Sequence, residues 1–112
     1  MYMIETVIKP TSIDGIKSKL AGLGILGMTA LECKGFGKQK GHTERYRGGR
    51  MDVGFVPKVT LKIAVSSEDL DKALEAVTTA SRTGNVGDGK VFVYELSKVI
   101  RIRTGETDND AL

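Results

Sequence analysis

From Pro57 onward, apolar and polar residues alternate: Val59, Leu61, Ile63 and Val65 interleave with Lys58, Thr60, Lys62 and Ala64. Successive side chains of a strand point to opposite faces, so this run predicts a strand with one buried face. Residues 2–9 mix Ile4, Val7 and Ile8 with Thr6 and stop at Pro10, which predicts another strand. Ile13, Ile16, Leu20 and Leu23 then recur at helical spacing, with Thr11 and Ser12 available as an N-cap and Gly24 as a stop. After Gly27, residues 28–34 again read as a strand. Ser66, Ser67, Glu68 and Asp69 open a second helix in the manner of a capping box, and Leu70, Ala73, Leu74 and Val77 give it an apolar stripe. A last strand covers 91–96.

Residues 35–56 break this regularity. They show no clean period and hold Gly35, Gly37, Gly41, Gly48, Gly49 and Gly54, six of the 14 glycines. Connections longer than about 12–15 residues inside a compact domain are uncommon and usually functional or disordered. This one is too basic and too aromatic for a mere linker and reads as a working loop. The order β-α-β-loop-β-α-β predicts an α+β, ferredoxin-like fold, with a four-stranded antiparallel sheet and both helices on one face. The other face then needs a cover, and self-association of sheets is the natural one in so small a domain.

With 112 residues the chain is expected to form a single domain, 1–112. Its 40% hydrophobic and 28% charged residues are those of a globular protein. The first residues lack the charged and apolar regions of a signal peptide, and no run approaches the ~18 apolar residues of a membrane span, so a cytoplasmic location is the default expectation. The single cysteine, Cys33, excludes an internal disulfide framework and reads as a buried structural thiol. A net charge of +3 is too small to argue for nucleic acid from the whole chain. Its distribution is more telling. Lys34, Lys38, Lys40, Arg45, Arg47, Arg50 and Lys58 crowd one stretch against only Glu44 and Asp52, while the tail from Glu106 is acidic. Such a segment attracts anions or acidic partners, although a solvated loop has the same composition.

The most suggestive chemistry lies at residues 83–90, Thr-Gly-Asn-Val-Gly-Asp-Gly-Lys. Gly84, Gly87 and Gly89 permit positive φ and close approach, consecutive N–H groups form a concave anion site, and Lys90 adds a full charge. Walker A spacing is absent, and the loop could also be an ordinary connection. Arg101 and Arg103 lie two apart, so in an extended segment both would point the same way and call for an anion between them; two solvated tail arginines are the plainer alternative. An RNA-binding module is a weaker reading, because only Phe92 and Tyr94 offer stacking rings on one strand. A hydrolase is weaker still, since the lone His42 has no carboxylate at a fixed offset.

Three stretches together resemble the PII signal-transduction proteins of nitrogen regulation, over essentially the whole chain. Residues 35–49, Gly-Phe-Gly-Lys-Gln-Lys-Gly-His-Thr-Glu-Arg-Tyr-Arg-Gly-Gly, resemble the start of the family's T-loop (about 37–55). Residues 83–93 resemble its B-loop (about 82–90), and residues 99–106, Val-Ile-Arg-Ile-Arg-Thr-Gly-Glu, its C-terminal loop (about 97–112). The resemblance implies a homotrimer and no enzymatic activity. ATP and ADP would compete in clefts between subunits, and 2-oxoglutarate would join MgATP at the base of the T-loop. The T-loop would then regulate a target, such as an Amt-type ammonium transporter or a metabolic enzyme. No nucleic acid is implied, and a membrane only through a transporter. A glycine nest, separated cations and a long loop are what such a sensor needs, and ordering of a loop is a known switching device.

Carried over by resemblance, the nucleotide would be held by Gly35, Gly37, Lys38, Gly87, Asp88, Gly89, Lys90, Arg101 and Arg103, with Thr29 and Ala64 bordering the adenine. Gln39 would ligate Mg²⁺, and 2-oxoglutarate would meet Gln39, Lys40, Gly41, Gly87 and Lys58, the last on its distal carboxylate. Tyr46, Arg47, Arg50 and Met51 would face the target. Several positions depart from the family. Met51 stands where many relatives carry the uridylylated Tyr, so no uridylylation is expected there, and Gly49 replaces a Ser that is phosphorylated in some. Arg50 replaces an acidic residue, which bears on targets such as the arginine-pathway kinase. Lys38 replaces a common Arg and is expected to alter the ATP and ADP preference. Lys62 replaces a common Glu and is expected to repel Lys90.

Overall fold

A computed structural model of the chain describes residues 1–37, 43–46, 49–52 and 54–112, with the backbone alone at 43–46 and 49–52. The elements in order are β1 (Tyr2–Ile8), α1 (Ile13–Gly22), β2 (Thr29–Gly35), β3 (Thr43–Tyr46), β4 (Gly49–Asp52), β5 (Val56–Val65), α2 (Leu70–Ser81) and β6 (Lys90–Glu95). Strands β2-β5-β1-β6 form one sheet in that order, every neighbouring pair antiparallel, and β3 and β4 form a separate two-stranded ribbon. The chain thus has the expected ferredoxin-like fold. The ribbon was not expected, because Thr-Glu-Arg-Tyr and Gly-Arg-Met-Asp carry no alternation of apolar and polar residues.

The register explains the core. Ile4, Thr6 and Ile8 of β1 lie opposite Ile63, Leu61 and Val59 of β5, and all six point to the helices. Ile16 and Leu20 from α1 and Ala73, Ala76 and Val77 from α2 close over them. Full burial of an Ile, Leu or Val side chain contributes about 1.5–3 kcal/mol, so this cluster is the main source of stability. The helix start is a short 3-10 turn over Pro10–Ser12, and neither Thr11 nor Ser12 caps α1 with its side chain. The predicted stop is real: Gly24 adopts φ 81° while the N–H groups of Gly24 and Ile25 donate to Ala21 O and Leu20 O at 3.0 and 2.9 Å. This is a Schellman motif, with Ile25 folded back against the core. At α2, Ser66 Oγ accepts the Asp69 N–H at 3.3 Å, half of the expected capping box, while the Asp69 carboxylate pairs with Lys72 at 3.0 Å. Among the described residues no helix is long and apolar enough to cross a membrane.

The helices cover the central strands β1 and β5. The opposite face of the sheet is open and carries Glu5 and Val7, Leu31 and Cys33, Lys58, Thr60 and Lys62, and Lys90, Phe92 and Tyr94, as the register and the alternation require. Leu31, Phe92 and Tyr94 are each 40–50% exposed there (48%, 49% and 42%). Cys33 differs from its expected burial. It is half-buried on this open face, 3.3 Å from Thr60 Oγ1.

Candidate functional site

The loop between α2 and β6 is shaped by its glycines. Gly84, Gly87 and Gly89 take φ of 87°, 102° and 100°, all in the region closed to most side chains. Gly89 has a second reason to be glycine: a Cβ there would lie 2.0 Å from the carbonyl oxygen of Val7. The loop is therefore pressed against the end of β1. Thr6 Oγ1, itself buried, donates to Lys90 O at 2.8 Å and fixes the exit into β6.

Asp88 organises this loop from inside. Its Oδ2 accepts the N–H groups of Thr83 and Gly84 at 2.7 and 2.9 Å, its Oδ1 accepts the Thr83 hydroxyl, and Lys9 Nζ stands 3.3 Å from Oδ1. The bond from the Thr83 hydroxyl, then those from the backbone N–H groups and Lys9, hold its carboxyl well below the usual carboxylate range. The resemblance places Asp88 among the nucleotide contacts; in the structure its carboxylate is occupied with the loop itself.

On the open face of the sheet, the loop and the end of β2 enclose a cleft of about 600 Å³. Gly35, Gly37, Lys58, Gly87, Gly89 and Lys90 line it together, joined by Val7, Phe36, Val86 and Phe92. Lys58 lies in the cleft wall. Only 7% of it is exposed, and its Nζ donates to Gly87 O at 2.8 Å. Burial, and next the positive charge of Lys9, push its pKa below the ordinary lysine value. Among the described residues no carboxylate lies within ion-pair distance of Lys58 or Lys90. A cation buried without a counter-charge is costly, and an anion in the cleft would relieve that cost. Phe36, which lines the cleft, pairs with Phe55 in a tilted arrangement, centroids 5.9 Å apart at 54°.

Other expected site residues lie elsewhere in the same chain. Thr29, opposite Lys62 across β2 and β5, and Ala64 are absent from the cleft lining. So are Arg101 and Arg103, and the extended geometry expected of them is not found. The Arg101 N–H donates to Glu106 O at 2.9 Å and the Gly105 N–H to Arg101 O at 2.8 Å, so the chain turns back through Gly105 at φ 75°. A period of two does not apply in such a turn. The Arg101 guanidinium instead meets Glu106 Oε1 at 2.9 Å and Leu112 O at 3.2 Å. Lys62 is not set simply against Lys90. Glu5 lies directly opposite it and pairs with it at 3.5 Å, supplying the counter-charge. Lys38, Gln39, Lys40, Gly41, His42 and Arg47 lie outside the described residues, and Tyr46, Gly49, Arg50 and Met51 are described by backbone alone.

Sequence reasoning missed Lys9, Thr83 and the Phe36–Phe55 pair. No local signal marks Lys9, whose partner lies 79 positions away.

The ferredoxin-like domain turns a glycine-lined cleft with two lysines outward on its open sheet face, a charge and shape that suit an anion; among the described residues no cluster of His, Cys, Asp or Glu could hold a metal ion. The sequence model described as "Nitrogen regulatory protein P-II" matches residues 1–106, and the chain belongs to that family. It is 50% identical over 112 residues, all of both chains, to the Nitrogen regulatory protein P-II of Pasteurella multocida. It is 49% identical, again over the full length of both, to that of Rhizobium etli, and 47% identical to Nitrogen regulatory protein GlnK of Escherichia coli. The family is one of regulators, and the chain is a regulatory protein rather than an enzyme.

Proposed function

We propose that the chain is a nitrogen-status signalling adaptor that works as a homotrimer. It binds ATP or ADP in clefts between neighbouring subunits, takes up 2-oxoglutarate with MgATP, and uses residues 37–55 to regulate a target, foremost an Amt-type ammonium transporter. The observation that carries this reading is the division of the expected site residues. Lys58, Lys90 and the glycine loop line one cleft, whereas Thr29, Ala64, Arg101 and Arg103 of the same chain do not reach it. A neighbouring copy would supply that second set, and its sheet would cover Leu31, Phe92 and Tyr94, whose exposure is otherwise unfavourable.

The glycine N–H groups and Lys90 suit phosphate oxygens. Lys58, buried and facing the cleft, suits the distal carboxylate of 2-oxoglutarate, and would exchange its bond to Gly87 O for it. MgATP, with Gln39 as the chain's Mg²⁺ ligand, would supply the divalent charge against which the dicarboxylate binds. The ligand acts on the loop only through its different affinity for the loop's poses.

Light scattering combined with calorimetric titration tests this. A trimer is expected that binds ATP and ADP competitively and binds 2-oxoglutarate only with MgATP present. A monomer indifferent to adenine nucleotides would refute the reading. Pull-down from lysate with ADP, against MgATP plus 2-oxoglutarate, identifies the target.

A further inference from the structure

Lys9 directly follows β1 beside the glycine loop, and the nucleotide reading gives it no task. Its Nζ lies 3.3 Å from Asp88 Oδ1 and 3.5 Å from Thr83 Oγ1, so it touches both ends of the loop at once. Asp88 sits between Gly87 and Gly89, which line the cleft. Its own side chain lines the neighbouring hollow with Thr6, Ser81 and Arg82 rather than the cleft, but its charge sits one residue from both glycines and, unmasked, would oppose a polyphosphate placed against them. Lys9 is the ion-pair partner Asp88 has among the described residues, and the pair is partly shielded, with side-chain exposures of 32% and 20%. Lys9 and Lys58 therefore grip consecutive loop residues, one at the Asp88 carboxylate and the other at the Gly87 carbonyl.

We propose that Lys9 is a positioning residue of the cleft that sets its selectivity for polyphosphates: together with the Thr83 and Gly84 donors it holds Asp88, and it offsets the carboxylate charge beside the glycines that line the cleft. This rests on the nucleotide reading above. Its signature is electrostatic. Removing Lys9 weakens binding in proportion to ligand charge, whereas mere loosening of the loop would weaken all nucleotides alike.

The test is calorimetry of AMP, ADP and ATP on full-length wild type, Lys9→Gln, Lys9→Arg and Lys9→Gln/Asp88→Asn, with thermal melts to confirm folding. Lys9→Gln is expected to weaken ATP about fivefold or more, ADP less, and AMP under about twofold, with the loss shrinking at high salt. Lys9→Arg, which keeps the charge, should stay within about twofold of wild type, and adding Asp88→Asn to Lys9→Gln should recover part of the ATP affinity. Equal losses for all three nucleotides, or unchanged ATP affinity in Lys9→Gln, would overturn the role assigned to Lys9 while leaving nucleotide binding intact. A wild-type protein that binds none of the three overturns both.

Discussion

The tightest constraint on the glycine loop is its contact with β1, and Gly89→Ala probes it directly. The alanine methyl would be built 2.0 Å from Val7 O, 3.1 Å from Val7 C and 3.5 Å from Ile8 Cα, at φ 100°. All three atoms are backbone in a central strand, so no side chain can swing away. Two costs combine. Holding an L residue in this conformation costs about 1–3 kcal/mol. Opening the gap to an ordinary contact separates β1 from the start of β6, where Val7 is opposite Lys90, and loosening one ladder hydrogen bond there costs about 1 kcal/mol more. The expected loss is about 2–4 kcal/mol, a large part of the ~5–15 kcal/mol typical of a domain.

Gly84→Ala is the control. Gly84 has φ 87° but nothing within 4 Å of a built Cβ, so it incurs the conformational cost alone, about 1–2 kcal/mol. Urea denaturation of both variants without nucleotide, at a fixed protomer concentration so that any assembly contributes equally, isolates the steric term as their difference. About 1 kcal/mol of extra loss in Gly89→Ala is expected. Losses equal within ~0.5 kcal/mol would mean that the loop lifts off β1 freely, and the account of the cleft's rigid wall would fail.

Two pH dependences follow from the same cleft. Lys58 titrates below its ordinary value of 10.5, so between its native value and 10.5 the unfolded chain holds more protons and stability rises with pH; urea melts from pH 8 to 10.5 should show that rise in wild type and its loss in Lys58→Met, and parallel curves would contradict the buried ammonium. Asp88 is held below its ordinary 3.8, so its stabilisation is complete above that value and is lost as pH falls toward the native one; Asp88→Asn should flatten this part of the acid limb, and an unchanged acid midpoint slope would show that the loop does not depend on the carboxylate.

Much of the fold was legible because single periods dominate it. Val59 to Val65 alternate and are buried as predicted, Ile16 and Leu20 recur at helical spacing and are buried, and Gly24 ends α1 where a left-handed residue is needed. What escaped depends on contacts between distant residues. A lysine at the start of a strand reads as solvent-exposed, yet Lys58 is covered because the loop at Gly87, 29 positions later, folds over it. Thr-Glu-Arg-Tyr has no strand period, yet its backbone pairs with Gly49–Asp52, since ladder bonds do not require an apolar face. Arg101 and Arg103 invited a strand reading through their spacing, but the bonds of Arg101 to Glu106 and Gly105 make a turn instead. The glycine loop was visible as composition, whereas the groups that hold it, Thr6 of β1 and Lys9 just after it, carry no mark in their own neighbourhood.

The open sheet face sets two requirements that pull against each other. Leu31, Phe92 and Tyr94 favour covering it, while Lys58, Lys62 and Lys90 on the same face resist being brought close to further copies of themselves. Glu5 answers for Lys62, and the Gly87 carbonyl gives Lys58 a neutral acceptor but no charge. Lys58 and Lys90 are thus left with a positive surplus at the edge of the surface that assembly would bury. On the proposed reading, a polyphosphate seated there removes the surplus, and it favours the assembled form because only that form brings Arg101 and Arg103 of a second chain to it. Ligand binding and subunit association would then stabilise each other by linkage, and a change in the number of phosphates would be felt at that same boundary.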